Sequence, residues 1–137
     1  MRQLCFLLLI CLANICYAQD SGKEKSVKNY YTGFENNNWK TVAGQLAEDF
    51  SFTSSNNDDH IPVDQFREKC FATARFIKKV KFVTMMEKGN ELMLLVEIIT
   101  TDNKIVRNVD VYTFSGGKIK SIEVFFGAGS KYPGNKG

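Results

Sequence analysis

A single carboxylate stands in the middle of the most apolar part of the sequence. Asp110 lies in the run Val109-Asp110-Val111-Tyr112, and its neighbours predict a buried strand. A carboxylate at such a position costs free energy unless it is hydrogen-bonded, paired, or kept neutral by a raised pKa. We therefore expect one of two roles for Asp110. It is either a structural acid satisfied by a backbone amide, Tyr30 or Tyr112, or a functional acid in a pocket.

The strand face that carries Asp110 has the composition of a small-molecule site. If the Ser115-Gly116-Gly117 turn has three residues, Asp110 lies opposite Ile122. An apolar wall with one acid is typical of a ligand pocket. Aromatic residues of the preceding helices and first strand could add to this wall, although at helical spacing they are more often core. The candidate ligand-binding residues are Phe34, Trp39, Phe52, Phe66, Asn108, Tyr112, Ile122, Val124 and Phe126.

Glu97 is a second acid in an apolar strand, and its direction depends on one turn. A two-residue turn at Asp102-Asn103 places Glu97 on the face of Asp110, whereas a three-residue loop sends it outward. Facing inward, two close carboxylates would push one pKa upward and suit acid–base chemistry. We expect the outward direction, where Glu97 is an interface or surface acid.

The remaining polar candidates have simpler interpretations. Ser54 to His60 predicts a polar loop, in which Asp58, Asp59 and His60 form either a solvated turn or the mouth of a pocket with His60 as a base. We expect the solvated turn. Cys70 lies on an apolar helical stripe with no adjacent base, which favours packing over nucleophilic chemistry.

Composition excludes several classes of function. The chain has 137 residues, of which 44% are hydrophobic and 24% charged, as expected for one globular domain. One histidine cannot build a histidine-rich zinc site, and no phosphate-binding glycine motif or serine-hydrolase motif is present. The formal net charge of +3 is too small to indicate nucleic-acid binding. We therefore predict no metal, no cofactor and no nucleic-acid partner.

The first residues predict a secretory signal peptide. A short basic start precedes the apolar run 4–16, and small residues end at Ala18, the expected cleavage site. Cleavage leaves Cys70 as the one cysteine, so no internal disulfide can form. No second long apolar run follows, and we expect a secreted or periplasmic protein with no membrane contact after cleavage. The domain is predicted to span 19–126, with a flexible glycine- and proline-containing tail over 127–137.

The elements that must position these residues follow from periodicity. Residues 20–48 predict two helices separated by Asn36-Asn37-Asn38, and Leu46 falls on the apolar stripe of the second helix. A short strand at 50–53 follows, and then a third helix from about Pro62 to Lys78. Four strands are predicted at about 79–87, 91–101, 104–114 and 118–126. Helices followed by an antiparallel meander indicate an α+β fold.

The last three strands are apolar on both faces, which predicts that something other than the helices covers the second face. A second copy of the chain is the economical candidate, and a twofold homodimer follows as a hypothesis. The residues expected in this interface are Ile105, Val109, Val111, Ile119 and Phe125.

The mature chain resembles the nuclear transport factor 2-like superfamily, in its small secreted SnoaL-like branch. The residues that carry the resemblance are Tyr30-Tyr31 with Phe34, Asn38-Trp39-Lys40, Leu46 to Phe50, Phe66-Arg67, Val109 to Phe114 and Gly117 to Ile122. The resemblance implies a cone of curved antiparallel sheet wrapped around three N-terminal helices, with a deep pocket and frequent dimers.

Within the superfamily, the end of the chain is similar to ketosteroid isomerase. This similarity implies that Asp110 and Tyr30 are the candidate catalytic hydrogen-bond or proton donors, since that enzyme keeps a buried aspartic acid neutral so that it can donate a hydrogen bond. The position of the general-base aspartate is Ser54 here, which puts a matching proton shuttle in doubt. We therefore expect a non-catalytic pocket for a small apolar or carbonyl-containing ligand. The alternative is an isomerase, cyclase or dehydratase that uses Asp110 and Tyr30.

Overall fold

A computed structural model describes residues 21–126. The signal peptide and the tail after Phe126 lie outside the described residues, so both stay predictions. The helices are α1 (Gly22–Glu35), α2 (Trp39–Ala43) and α3 (Val63–Lys69), with a 3-10 helix at Phe71–Phe76. The strands are β1 (Leu46–Ser54), β2 (Asp58–Ile61), β3 (Ile77–Lys88), β4 (Glu91–Thr100), β5 (Ile105–Ser115) and β6 (Lys118–Phe126). Among these helices, none is long and apolar enough to cross a membrane.

The predicted α+β class is confirmed, with the helices on one face of a curved six-stranded sheet. The strand order is β2-β1-β6-β5-β4-β3. All neighbouring strands are antiparallel except β1 and β6, which are parallel. This one parallel pairing sets Ser54 of β1 beside Val124 of β6.

Two N-terminal boundaries differ from the sequence prediction. Leu46 begins β1 instead of ending the second helix, because it pairs with Ile119 of β6. The predicted loop at Ser54 to His60 contains β2, in which Asp58 pairs with Ser54. Leu46 takes its strand form from a partner about 70 residues away in the sequence, whereas β2 forms a local hairpin with the end of β1 in spite of its polar composition. In both segments, strand pairing overrides local propensity. The third helix also ends early, at Lys69, before the 3-10 helix.

Helix α1 provides the apolar layer that covers the sheet. Ser21 caps its first turn by accepting a hydrogen bond from the Glu24 backbone N–H at 3.1 Å. Its buried face carries Val27, Tyr30, Tyr31 and Phe34, at the predicted spacing.

Phe66 of α3 is completely buried and contacts several aromatic side chains. Its ring centroid lies 5.0 Å from that of Phe52, 5.2 Å from that of Phe50 and 6.4 Å from that of Tyr30. The contact with Phe50 is edge-to-face, that with Phe52 is tilted and that with Tyr30 is stacked, and aromatic pairs at such distances add to the free energy of apolar burial. Phe66 therefore joins α1, α3 and β1 into one core.

The β5–β6 hairpin sets which side chains of β6 face inward. Gly116 and Gly117, with φ of 56° and 76°, form a two-residue turn between Ser115 and Lys118. Phe114 then pairs with Ile119, but Thr113 pairs with Ser121, so Lys120 is the extra residue of a β-bulge.

Because the turn has two residues and the bulge adds one more, Asp110 lies opposite Val124 and not opposite Ile122 as predicted. The prediction assumed a three-residue turn with no bulge. The prediction that Ile119 belongs to the outer dimer interface is wrong, because Ile119 is completely buried in the core. Ile119 and Ile122 both face inward because the bulge interrupts the strand alternation between them.

The prediction that Glu97 points away from Asp110 is confirmed. Thr100 donates its backbone N–H to the Lys104 carbonyl at 2.9 Å across a three-residue loop. Glu97 consequently pairs with Arg107, whereas Asp110 pairs with Leu94. Side chains alternate between faces along a strand, so this register puts the two acids on opposite faces of the sheet.

Candidate functional site

A cavity of about 490 Å³ lies between α1 and the concave face of the sheet. This volume is within the range of small-molecule sites in proteins. Strand β5 contributes Asn108 and Asp110, and α1 contributes Tyr30, Tyr31 and Phe34. The other described lining residues are Phe52, Ser54, Asn56, Asp58, Phe66, Lys69, Cys70, Thr73, Ile77, Ile98, Val124 and Phe126.

Asp110 is 1% exposed, and one of its two carboxylate oxygens has partners. Tyr112 donates its phenol O–H to Asp110 Oδ2 at 3.0 Å, and the phenol of Tyr31 also donates to this oxygen. None of the ion pairs between described residues includes Asp110. The carboxylate of Asp110 is therefore stabilised by two neutral donors, both of which bind Oδ2.

The second carboxylate oxygen, Asp110 Oδ1, is buried and has no hydrogen-bond partner within the described structure. The same is true of the side-chain oxygen of Asn108, two residues earlier on the same face of β5. Buried polar atoms are normally paired, so each exception needs an explanation. Because both residues line the cavity, an occupant of the cavity could supply the missing partners.

Burial raises the pKa of Asp110 from 3.8 to about 6, and the two phenol hydrogen bonds partly oppose this rise. Since Oδ2 accepts both phenols, Oδ1 is the oxygen available to carry a proton. Burial also raises the pKa of Tyr30, Tyr31 and Tyr112, and the charge on Asp110 adds to each increase. The three phenols are thus protonated donors at neutral pH.

The mouth of the cavity carries a second polar group of residues: Ser54, Asp58 and Lys69. Ser54 donates its hydroxyl to Asp58 Oδ2 at 2.7 Å, and Lys69 Nζ lies 3.5 Å from Asp58 Oδ1. The Asp58 side chain is 13% exposed. Ser54 thus occupies the position where the resemblance implies a general base. In the structure, Ser54 donates a hydrogen bond to the Asp58 carboxylate, and both residues line the cavity.

Cys70 also lines the cavity and is poorly suited to nucleophilic chemistry. Burial raises the pKa of its thiol from 9.0 to about 12, with a further contribution from the charge on Asp58. A thiol with this pKa is protonated at neutral pH and is a weak nucleophile. This agrees with the expected packing role.

His60 and Asp59 pair with each other at the surface, both exposed. Neither lines the cavity, which agrees with the expected solvated turn. Asp58 and Asn56 of the same segment do line it, so part of this segment forms the mouth. Within residues 21–126, no cluster of three or more His, Cys, Asp or Glu side chains could hold a metal ion.

Most of the predicted ligand-binding residues meet in the cavity: Phe34, Phe52, Phe66, Asn108, Val124 and Phe126. Three do not. Tyr112 and Ile122 are buried in the core and are not among the described lining residues. Trp39 packs against Phe71, with ring centroids 5.2 Å apart, and lines a separate pocket of about 560 Å³.

Tyr31 of α1 donates its phenol O–H to Asp110. The resemblance implied Tyr30 as the candidate donor. Tyr30 lines the cavity, but its ring makes an edge contact with Tyr112, with centroids 6.0 Å apart. Adjacent helix positions differ by about 100° in direction, and both tyrosines are buried. The sequence pattern could not decide between them without the sheet in place.

The family model described as a SnoaL-like domain matches residues 27–122. No curated protein is similar enough in sequence to be matched with the chain. Among solved structures, an NTF2-like protein of unknown function from Cytophaga hutchinsonii ATCC 33406 is 22% identical, with a TM-score of 0.59. That match covers 80% of this chain and 92% of the other.

Two further structures share the fold. A Kribbella flavida DSM 17836 protein, provisionally described as a ketosteroid isomerase, is 14% identical with a TM-score of 0.64. The match covers 82% of each chain. TerC, co-crystallised with polyporic acid, is 14% identical with a TM-score of 0.57, covering 78% of this chain and 92% of the other.

Proposed function

The chain belongs to the family of SnoaL-like domains, and from its cavity we propose that it binds a small, largely apolar ligand without transforming it. The observation that carries this proposal is the pair of unpartnered oxygens on Asp110 and Asn108. Leaving a buried polar atom without a partner costs roughly 1–3 kcal/mol. A ligand that satisfies both oxygens would recover this free energy and would bind in a defined orientation.

The rest of the cavity favours an apolar body for this ligand. The aromatic rings of Phe34, Phe52 and Phe66 line the wall near Asp110, and Val124 and Phe126 continue it. Burial of an apolar surface against such a wall supplies affinity, while the few polar groups supply orientation. TerC, which has the same fold, was crystallised with a small molecule, and this lends support by analogy of fold alone.

The proposal is tested by purifying the chain from Gln19 onward from cells that produce it and analysing it by native mass spectrometry. We expect a stoichiometric small molecule that is released on denaturation. The matched control is Val124→Trp, which fills the cavity from its wall and should purify empty while remaining folded. An empty wild-type chain that also binds no apolar probe would contradict the proposal.

Catalysis is the second candidate function, and Asp58 is the observation that favours it. The cavity holds two carboxyl groups in different surroundings, a buried one with a raised pKa and one beside Ser54 and Lys69 at the mouth. Such pairs suit isomerase, cyclase or dehydratase chemistry, with one group as acid and the other as base. Turnover of a bound compound that is lost in both Asp58→Asn and Asp110→Asn would establish this candidate.

We further propose that the protein is exported and that its outer sheet face pairs with a second copy. Leu95, Val109 and Phe125 lie directly opposite one another on three adjacent strands, and Phe125 is 56% exposed. Met93, which is 42% exposed, extends this apolar patch. An exposed patch of this kind commonly marks a protein interface.

A further inference from the structure

We infer that the polar group of the ligand is a hydrogen-bond donor, and that the cavity is built for a small apolar amine. This inference rests on the proposed function and names the ligand class. The sequence alone predicts an apolar or carbonyl-containing ligand, whose oxygen would accept a hydrogen bond. The unpartnered atoms of the cavity are oxygens, so they require a ligand that donates hydrogen bonds.

Both unpartnered atoms of the cavity wall are acceptors. Asp110 Oδ1 and Asn108 Oδ1 are oxygens with lone pairs, and neither accepts a hydrogen bond from any residue that the structure describes. A carbonyl ligand would add a third oxygen to this group. An alkylammonium group carries three N–H donors and can satisfy both oxygens at once.

Charge favours the same ligand class. Asp110 is 1% exposed, and its partners are two neutral phenols. A buried carboxylate without a cation is an uncommon arrangement, because ionic groups in protein interiors are normally paired. An ammonium group placed at Oδ1 would complete a buried ion pair whose carboxylate is already desolvated and held in position.

The aromatic wall is also compatible with a cation. Tyr30, Tyr31 and Phe34 of α1 and Phe66 of α3 all line the cavity. The face of an aromatic ring carries partial negative charge and attracts an ammonium group within about 6 Å. At the mouth, the Asp58 carboxylate adds negative charge that Lys69, at 3.5 Å, partly offsets.

The titratable groups around Asp110 should not obscure the effect of its own ionisation on ligand binding. Tyr30 and Tyr31 on α1 and Tyr112 on β5 have raised pKa values. The pKa of Cys70, after α3, is about 12. None of these four ionises between pH 5 and 8, and among residues 21–126 the other charged groups that line the cavity are Asp58 and Lys69 at its mouth. Ionisation of Asp110 should therefore dominate the pH dependence of binding.

The experiment uses three probes that share one naphthalene skeleton: 2-naphthylmethylamine, 2-naphthylmethanol and 2-acetylnaphthalene. Binding to the full mature chain is measured by calorimetry at pH 5.0 and 7.5. The amine requires ionised Asp110, so its affinity should fall about tenfold from pH 7.5 to pH 5.0. The ketone requires protonated Asp110, so its affinity should rise about 30-fold over the same change.

At pH 7.5 we expect the amine to bind most tightly. Asp110→Asn should weaken amine binding about 100-fold or more, because it leaves a buried ammonium unpaired. The control Asp49→Asn makes the same chemical change on the exposed Asp49 outside the cavity and should leave affinity unchanged. Asp58→Asn tests the contribution of the mouth carboxylate to amine binding, and it should lower the affinity for the amine less than Asp110→Asn does.

The outcomes separate the inference from the proposed function. Tighter binding of the ketone, with affinity that increases toward pH 5.0, would overturn the amine and leave small-ligand binding intact. Amine binding that is insensitive to pH and to Asp110→Asn would also overturn it. If none of the three probes binds at either pH, both the inference and the proposed function are rejected. The pH comparison uses the wild-type chain, so it does not depend on the folding of any variant.

Discussion

Replacing Asp110 by asparagine should make the folded protein more stable at neutral pH, although the residue lies in the core. The amide oxygen of asparagine can take the place of Oδ2 and accept the phenols of Tyr31 and Tyr112. The amide nitrogen then replaces Oδ1 at the cavity. Asp110→Asn thus mimics the protonated acid and removes only the buried charge.

The size of the effect follows from the pKa. Raising the pKa from 3.8 to about 6 corresponds to roughly 3 kcal/mol against the ionised folded state. Because the folded state binds this proton more tightly than the unfolded state, the free energy of unfolding falls as pH rises between about 4 and 6. Above pH 6 the full penalty is present. We therefore expect Asp110→Asn to gain roughly 3 kcal/mol at pH 7.5 and almost nothing at pH 4.

Urea denaturation of the two proteins across pH 4 to 7.5 measures this difference. Carboxylates with lowered pKa values, such as Asp102 and Glu87, titrate equally in both proteins and cancel in the comparison. Equal denaturant slopes confirm that the folded and unfolded states are otherwise alike. A variant that is less stable than wild type at pH 7.5, or a gain that does not change with pH, would refute the reasoning. In that case the charge on Asp110 would contribute to stability instead of opposing it.

Three further outcomes are expected. Tyr31→Phe removes a donor to Asp110 and should raise the pKa of that acid by roughly one unit in a carboxyl NMR titration. Tyr30→Phe should leave this pKa almost unchanged, and equal shifts in the two variants would contradict the assigned contacts. Phe66→Ala should cost about 3–5 kcal/mol in denaturation experiments, and a loss below about 1 kcal/mol would show that its ring is not central to the core. Val109→Asp should convert a dimer into a monomer in sedimentation equilibrium, and a monomeric wild-type chain would reject the outer-face interface.

Local signals in the sequence were enough to predict much of the fold. Apolar residues at helical spacing located α1, and turn residues with positive φ located the four strands of the meander. The outward direction expected for Glu97 is also the observed one, although the sequence left open whether the loop that sets it has two or three residues. These features depend on neighbours in sequence, which is why periodicity and turn chemistry reveal them.

The features that the sequence did not reveal depend on strand pairing and packing that local patterns do not report. Strand β2 forms a short hairpin in which Asp58 pairs with Ser54, and nothing in its polar composition indicates a strand. The parallel pairing of β1 with β6 joins segments about 70 residues apart, beyond the reach of any local pattern. The choice of Tyr31 over Tyr30 depends on how α1 is rotated against the sheet.

The candidate site was therefore predictable in part. Asp110 and Asn108 were identified from strand alternation alone, because an acid in an apolar strand stands out in the sequence. At the mouth, Asp58 was expected in a solvated turn and Lys69 was not identified, since the two come together only after β2 and α3 have packed against β1. A buried polar residue is easier to find from sequence than a cluster assembled from three elements.

The bulge at Lys120 is a place where the hairpin can lose a residue without changing the cavity. Because Ile119 pairs with Phe114 and Ser121 pairs with Thr113, deleting Lys120 would leave both pairs in place and restore regular strand alternation. Val124 would still lie opposite Asp110 on the cavity side, and Glu123 would still face outward. A chain that is one residue shorter at this point would thus keep the same apolar wall. Relatives that lack this residue would need a gap at this position in an alignment, because otherwise cavity residues would be matched with surface residues.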